Sequence, residues 1–325
     1  MRLTNRTIIN TITIRTIIKP SFTKGFIMKK TASKIATLFV IASSLLATQA
    51  SAAPLKVATS FSILEDFVKN VGGSRIEIIN IVPADGDTHT YQPTTEDVRK
   101  LSGTKLVFVN GLGLEGFLDK LIKTAADKAK VVTVSAGLKP RQLIEDGQTE
   151  DDPHMWWDLA RSRTYVANIA KALIKADPAG KAAYTANAAK YTKTLNELEV
   201  YAKAQFSSIP KTNRKMVTNH DAFGYFAAYF RFTIVGAVIP SGSTESEPSA
   251  KALGELSKTI KREGVRAIFT ENIVNSKLAD AIAKESGAKV APPLYSDALG
   301  TKGSSGETFV KAFRFNVDTI VAALK

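Results

Sequence analysis

Short apolar segments alternate with segments of helical periodicity along the first half of the chain. Four apolar runs are typical of buried strands, and the segments between them have the hydrophobic spacing of helices. The predicted strands are 56–59, 75–82, 105–109 and 130–134, and the predicted helices are 63–71, 95–101 and 116–129. This alternation predicts a parallel sheet that is covered by helices on both faces.

The same alternation returns in the second half of the chain. There the predicted strands are 215–218, 232–238, 266–270 and 289–294, and the predicted helices are 222–230, 249–263, 276–286 and 306–324. The pattern predicts a second α/β lobe, again a mostly parallel sheet flanked by helices.

The segment between the lobes has a helical pattern and lacks the glycine and serine content of a flexible linker. Asp177 and Pro178 separate a helical stretch at 162–175 from an alanine-rich, almost continuously helical stretch at 179–207. A helix of about 28 residues is about 42 Å long. We therefore predict one long, rigid backbone helix, with domains at 53–176 (first lobe), 177–210 (linking helix) and 211–325 (second lobe).

Residues 1–52 have the pattern of an export signal. From Met28 the chain carries two lysines, an apolar run at 35–47 and the small residues Ala50-Ser51-Ala52. This is the order of a secretory signal peptide. We expect Met28 to be the true start of translation, behind an N-terminal extension, and we expect cleavage near Ala52/Ala53, which predicts a periplasmic protein.

Charge and cysteine content narrow the function classes. The formal net charge of +14 falls to +6 without residues 1–52, which hold eight of the 44 basic residues and no acidic residue. Since no basic run interleaved with aromatics remains, we expect no nucleic-acid partner. The chain contains no cysteine, so we exclude disulfides and thiolate sites, and we expect a free soluble protein that is not a lipoprotein.

The sequence supports neither a dinucleotide-binding site nor a serine-hydrolase site. Residues 110–116 contain a G-x-G-x-x-G pattern after a predicted strand, but Glu115 would lie beside a bound pyrophosphate with the wrong sign of charge, and no ribose-binding acid follows at the required spacing. A structural glycine turn is the better interpretation. The chain has no G-x-S-x-G elbow of a serine hydrolase.

The three histidines of the chain all follow predicted strands. His89 comes after the strand at 75–82, His154 after the fourth strand, and His220 directly after the strand at 215–218. Ligands of open α/β sheets bind at the carboxyl ends of the strands, and neutral imidazole is the commonest protein ligand for metals. The three side chains are therefore candidate metal ligands across a cleft between the lobes.

A fourth ligand should come from the second lobe. Asp297 follows the strand at 289–294 and meets the same positional rule. Glu271 ends the preceding strand, so it is an alternative ligand, although we favour a role in which its carboxylate holds the tautomer of His220. Trp156 and Trp157, next to His154, are expected to support the loop by packing.

The motifs around these residues resemble those of the zinc and manganese solute-binding proteins of bacterial ABC importers. The resemblance covers essentially the whole chain after residue 52. It is carried by segments 87–93 (DTHTYQP), 110–118 (NGLGLEGFL), 152–156 (DPHMW), 219–225 (NHDAFGY) and 295–299 (YSDAL). It implies two α/β lobes, a long helix along their back and one ion in the cleft, delivered to a membrane permease.

The resemblance also bears on which metal is bound. Histidine at the third ligand position, here His220, is typical of zinc binders or mixed zinc/manganese binders, whereas glutamate is typical of manganese binders. Three imidazoles and one carboxylate suit four-coordinate Zn²⁺ and leave no position for an activated water. We therefore expect a monomeric zinc carrier rather than an enzyme.

Other interpretations of the sequence stay open. A family member that carries Mn²⁺ or Fe²⁺ is the first alternative. A periplasmic zinc hydrolase with Glu271 as general base and an adhesin with a structural metal are further alternatives. Residues 141–151 lack the long histidine-rich loop that some zinc importers carry, which weakens any prediction of metal capture by such a loop.

Overall fold

The computed structural model describes residues 53–125, 128–145 and 148–325. The predicted N-terminal extension and signal peptide lie outside the described residues. Residues 53–325 belong to one compact unit, and the predicted division of this part at 176/177 and 210/211 stays a prediction. None of the described helices combines the length and hydropathy that crossing a membrane requires.

The first lobe is built on a four-stranded parallel sheet in the order β2-β1-β3-β4. Every residue of β3, in the interior of the sheet, is buried, as expected for a strand with helices on both faces. The strands are β1 (Leu55–Phe61), β2 (Ile76–Val82), β3 (Leu106–Val109) and β4 (Lys130–Thr133), and the helices are α1 (Ser62–Gly72), α2 (Thr95–Lys100) and α3 (Leu118–Ala125).

The second lobe repeats this plan with the parallel order β10-β9-β7-β8. Its interior strand β9 is again buried along its whole length. The strands are β7 (Lys215–Thr218), β8 (Thr233–Ala237), β9 (Ala267–Glu271) and β10 (Lys289–Leu294), and the helices are α6 (Gly224–Phe230), α7 (Ala250–Glu263), α8 (Lys277–Ser286) and α9 (Phe309–Leu324). The predicted two-lobed α/β fold is confirmed.

Two helices and a hairpin connect the lobes. The antiparallel hairpin of β5 (Gln142–Glu145) and β6 (Gln148–Asp151) leads into α4 (Leu159–Ala176), and α5 (Lys181–Phe206) follows after a short turn. The 26 residues of α5 span about 39 Å. This helix packs against α1 of the first lobe and α9 of the second, as predicted for the backbone helix.

One hydrophobic core runs from the first lobe into the second. Phe67 of α1 makes an edge-on contact with Phe309 of α9 at a ring separation of 4.7 Å. Trp157 stacks on Phe309 and on Phe223, at 5.2 and 6.2 Å. Because such aromatic contacts bury large area between the two lobes, they oppose a wide hinge motion.

Candidate metal centre

Four side chains from separate loops converge at the carboxyl edges of the two sheets. Oδ2 of Asp297 lies 3.0 Å from Nε2 of His89, 3.1 Å from Nε2 of His220 and 3.8 Å from Nε2 of His154. Each of the four groups offers one possible ligand atom, and these four atoms lie within 4.8 Å of one another. The positions given by the strand rule in the sequence therefore become one cluster in the fold.

The cluster contains polar atoms that the surrounding protein does not satisfy. Nε2 of His154 and Oδ1 of Asp297 are buried and make no hydrogen bond to any described residue. Buried atoms of this kind normally have a partner, which can be an ion. Around a tetrahedral Zn²⁺ with ligand bonds of about 2.0–2.2 Å, neighbouring ligand atoms are about 3.4 Å apart, so the separations from Asp297 fit an ion bound among the four groups.

Glu271 holds His220 from the side opposite to the cluster. Its Oε2 lies 2.5 Å from Nδ1 of the imidazole, and its Oε1 accepts hydrogen bonds from the backbone N–H groups of His220 and Asn219. Glu271 ends β9, which pairs with the strand β7 that precedes His220. The alternative in which Glu271 is a direct ligand receives no support from this geometry, because the carboxylate faces Nδ1 and leaves Nε2 free for the centre.

Aspartates hold the two histidine loops of the first lobe. The backbone N–H of His154 and its Nδ1 both lie 2.9 Å from Oδ1 of Asp152, and the backbone N–H of His89 donates to Oδ1 of Asp87 over 2.9 Å. Neither aspartate was among the predicted site residues. Their signal is a repeated D-x-H spacing, in which a short carboxylate caps the backbone two residues later.

The electrostatics of the cluster favour a positive charge at its centre. Burial works against protonation of His220, but the attraction of Glu271 and of Asp297 outweighs burial and holds the pKa of this imidazole well above its ordinary value. Burial would raise the pKa of Asp297, yet His220 and His154 hold it well below the ordinary carboxyl range. A metal ion bound here would occupy a field that already stabilises cations.

The two tryptophans connect the His154 loop to the Asp297 loop. Both indole N–H groups donate to the carbonyl oxygen of Ser296, over 2.9 Å from Trp156 and 2.7 Å from Trp157. Ser296 directly precedes Asp297. The tryptophans are fully buried, so they combine the packing expected from the sequence with a polar contact that the sequence does not reveal.

The G-x-G-x-x-G segment is a turn that supports His154. Gly111, Leu112 and Gly113 all have positive φ angles, and Glu115 accepts hydrogen bonds from the backbone N–H groups of Asn110 and Gly111. Burial raises the pKa of Glu115 to about 7, although these hydrogen bonds act in the opposite direction. The carboxylate of Glu115 thus occupies the N–H groups that a dinucleotide phosphate would need. The side-chain amide of Asn110 donates to the carbonyl oxygen of Pro153, the residue before His154.

Comparisons with known proteins agree on one class of metal-binding protein. Residues 57–323 match the family model described as Zinc-uptake complex component A periplasmic (ZnuA). The chain is 35% identical to the manganese-binding lipoprotein MntA of Halalkalibacterium halodurans, over 83% of this chain and 88% of that protein. It is 32% identical to the manganese ABC transporter substrate-binding lipoprotein PsaA of Streptococcus pneumoniae, over 91% of this chain and 99% of that protein.

A solved structure shows the same fold. The Mn-bound periplasmic metal-binding protein of Candidatus Liberibacter asiaticus superposes with a TM-score of 0.76 at 27% sequence identity, over 83% of this chain and 99% of that protein. A Cd-bound structure of that protein gives the same values.

The relatives correct one expectation drawn from the sequence. We predicted a protein that is not a lipoprotein, yet MntA and PsaA are both named as lipoproteins. The prediction rested on the absence of cysteine from the chain. That absence excludes thiol chemistry, and it is not sufficient to predict where the protein is located. A location on the outer side of the cytoplasmic membrane agrees with the relatives.

The match to the family model spans nearly all of the described chain, and the relatives above 30% identity cover more than two thirds of it. The chain therefore belongs to the ZnuA family, the metal-binding components of bacterial ABC importers.

Proposed function

We propose that the protein binds one Zn²⁺ through Nε2 of His89, His154 and His220 and a carboxylate oxygen of Asp297, and that it delivers the ion to the permease of an ABC importer. The observation that carries this proposal is the buried set of three imidazoles around one carboxylate. Imidazole nitrogen and carboxylate oxygen in a four-coordinate arrangement are preferred by Zn²⁺ and are a poor set for Mg²⁺ or Ca²⁺.

A carrier role follows from the number of protein ligands. Four protein groups complete a tetrahedral shell, whereas catalytic zinc sites keep a position for water or substrate. Glu271, the candidate general base of the hydrolase alternative, already accepts three hydrogen bonds from Asn219 and His220. This arrangement supports a closed binding site for a transported ion.

Manganese is the second candidate cargo. It is favoured by the names of MntA and PsaA and by the Mn-bound relative of known structure. Because nitrogen and oxygen sites bind Zn²⁺ more tightly than Mn²⁺ almost regardless of their geometry, affinity measured one metal at a time is a weak discriminator between the two.

The deciding experiment is native mass spectrometry of the protein exported by cells grown with both metals, combined with elemental analysis. We expect one Zn²⁺ per chain, its loss in His220→Ala, and its retention in the surface control Lys251→Ala. Recovery of one Mn²⁺ from the parent would replace zinc by manganese as the cargo. Retention of one zinc by His220→Ala would contradict the proposed ligand set.

A further inference from the structure

A groove of about 460 Å³ opens beside the metal centre, and His89 forms part of its wall. The side chains of His154, His220 and Asp297 have no exposed surface, while His89 retains 7%. His89 is thus the one member of the ligand set that solvent reaches. An ion that approaches through the groove would meet His89 before the other three groups.

The walls of the groove carry negative charge. Among the described residues that line it are the carboxylates of Glu150, Asp151 and Glu245 and no lysine or arginine. All three acidic residues are exposed, and none of them forms an ion pair with a described residue. A cleft lined by charge of one sign concentrates ions of the opposite sign and raises their association rate.

The inner end of the groove is narrow at Gly242. A Cβ atom at this position would lie 2.6 Å from Cδ1 of Leu143 and 3.9 Å from Cε1 of His154. Leu143 of β5 is buried, and Gly242 belongs to the second lobe. The absence of a side chain at Gly242 leaves the space between the groove and the imidazole of His154.

We infer that this groove is the route by which the metal ion reaches and leaves the centre, with Leu143 and Gly242 as its inner constriction and the three carboxylates as its electrostatic funnel. The inference rests on the proposed function, since it requires an ion at the four-ligand cluster. Under this inference, residues outside the ligand set control the rates of metal exchange, whereas the ligands control the affinity.

The constriction gives two variants with opposite effects. Leu143→Ala widens the route, so we expect both association and dissociation of Zn²⁺ to accelerate. Gly242→Ala places a methyl group against Leu143 and narrows the route, so we expect both rates to fall. Because a barrier on the route changes the two rates by the same factor, the equilibrium affinity should change little in either variant.

The funnel gives a third variant. Replacing the three carboxylates together (Glu150→Gln, Asp151→Asn, Glu245→Gln) should slow association by roughly three- to tenfold at low ionic strength. The difference should vanish at high salt, since the Debye length falls from about 30 Å at 0.01 M to about 3 Å at 1 M. The matched control removes three exposed carboxylates that do not line the groove: Glu197→Gln, Glu255→Gln and Glu285→Gln.

The test is stopped-flow mixing of metal-free protein with Zn²⁺ alone, with a competing chromophoric indicator, at 0.01 M and 1 M salt. The expected result is opposite rate changes in the two constriction variants and a salt-dependent loss in the funnel variant that the control lacks. Rates equal to those of the parent in Leu143→Ala and in the funnel variant would overturn the route, even if Gly242→Ala does not fold. Failure of the parent itself to bind Zn²⁺ would instead contradict the proposed function.

Discussion

His220 and Asp297 in the second lobe are held differently from His89 in the first. Their side chains have no exposed surface, and Glu271 fixes both the backbone and the imidazole of His220. His89 keeps some exposure, and apart from Asp297 the contact that orients it is a backbone bond to Asp87. His154 of the first lobe is buried and held by Asp152, so the contrast singles out His89, and we expect it to contribute less to metal affinity than His220 or Asp297.

Removal of Asp297 should have the largest effect on affinity. Structural Zn²⁺ sites with four ligands bind with about 10–16 kcal/mol, so loss of one ligand costs about 3 kcal/mol, or roughly 100-fold. We expect Asp297→Ala to weaken Zn²⁺ binding by at least this factor and His89→Ala to weaken it less, as measured by competition calorimetry. Equal losses of Zn²⁺ affinity in the two variants would contradict the expected difference between Asp297 and His89.

Acidification should weaken binding next most strongly. The pKa of His220 is raised in the folded, metal-free protein, so protonation of this imidazole stabilises the metal-free fold. That stabilisation is complete below about pH 6.5 and is lost as the pH rises through the raised pKa. The ion must displace that proton, so affinity should rise with pH by about tenfold per unit for each proton released. Calorimetry from pH 5.5 to 7.5 measures the slope, and a flat profile would contradict histidine ligation.

Replacement of Glu271 should have an intermediate effect. Loss of a carboxylate that orients a metal-bound imidazole typically costs about 10- to 100-fold in metal affinity. We expect Glu271→Gln to fall in this range, and Asp152→Asn, which alters the corresponding support of His154, to lose less because Asp152 holds that loop through a single oxygen atom. The surface control is Glu285→Gln. If Asp152→Asn lost more metal affinity than Glu271→Gln, the support of His154 would matter more than the support of His220.

The tryptophan pair should give the smallest effect. Trp156→Phe or Trp157→Phe alone leaves one indole donor on the carbonyl oxygen of Ser296, whereas the double variant leaves none. The two donors share one acceptor, so we take the lower end of about 0.5 kcal/mol for each bond. The double variant then loses about 1 kcal/mol and should bind Zn²⁺ roughly fivefold more weakly. If metal-free and metal-bound melting temperatures fall equally in the double variant, the pair stabilises the fold without positioning Asp297.

The sequence predicted the lobes and the four convergent residues because both follow from simple patterns. Alternation of strand and helix requires parallel sheets, and the strand-end rule placed His220 and Asp297 at one edge. The hairpin of β5 and β6 was not predicted, because Leu143 and Ile144 are the only apolar residues of its two strands, so no alternating pattern indicates a strand. The contacts to Ser296 were not predicted either, since a backbone carbonyl oxygen leaves no trace in the residue types.

The shared carbonyl oxygen of Ser296 has a spectroscopic consequence. The chain has only two tryptophans, and both indoles end on the residue that precedes Asp297, with the ring of Trp156 5.3 Å from that of His154. All indole emission of the protein therefore originates beside the candidate metal centre. The intensity and wavelength of that emission should report occupancy of the centre directly, so the molecule contains its own optical probe and needs no attached dye.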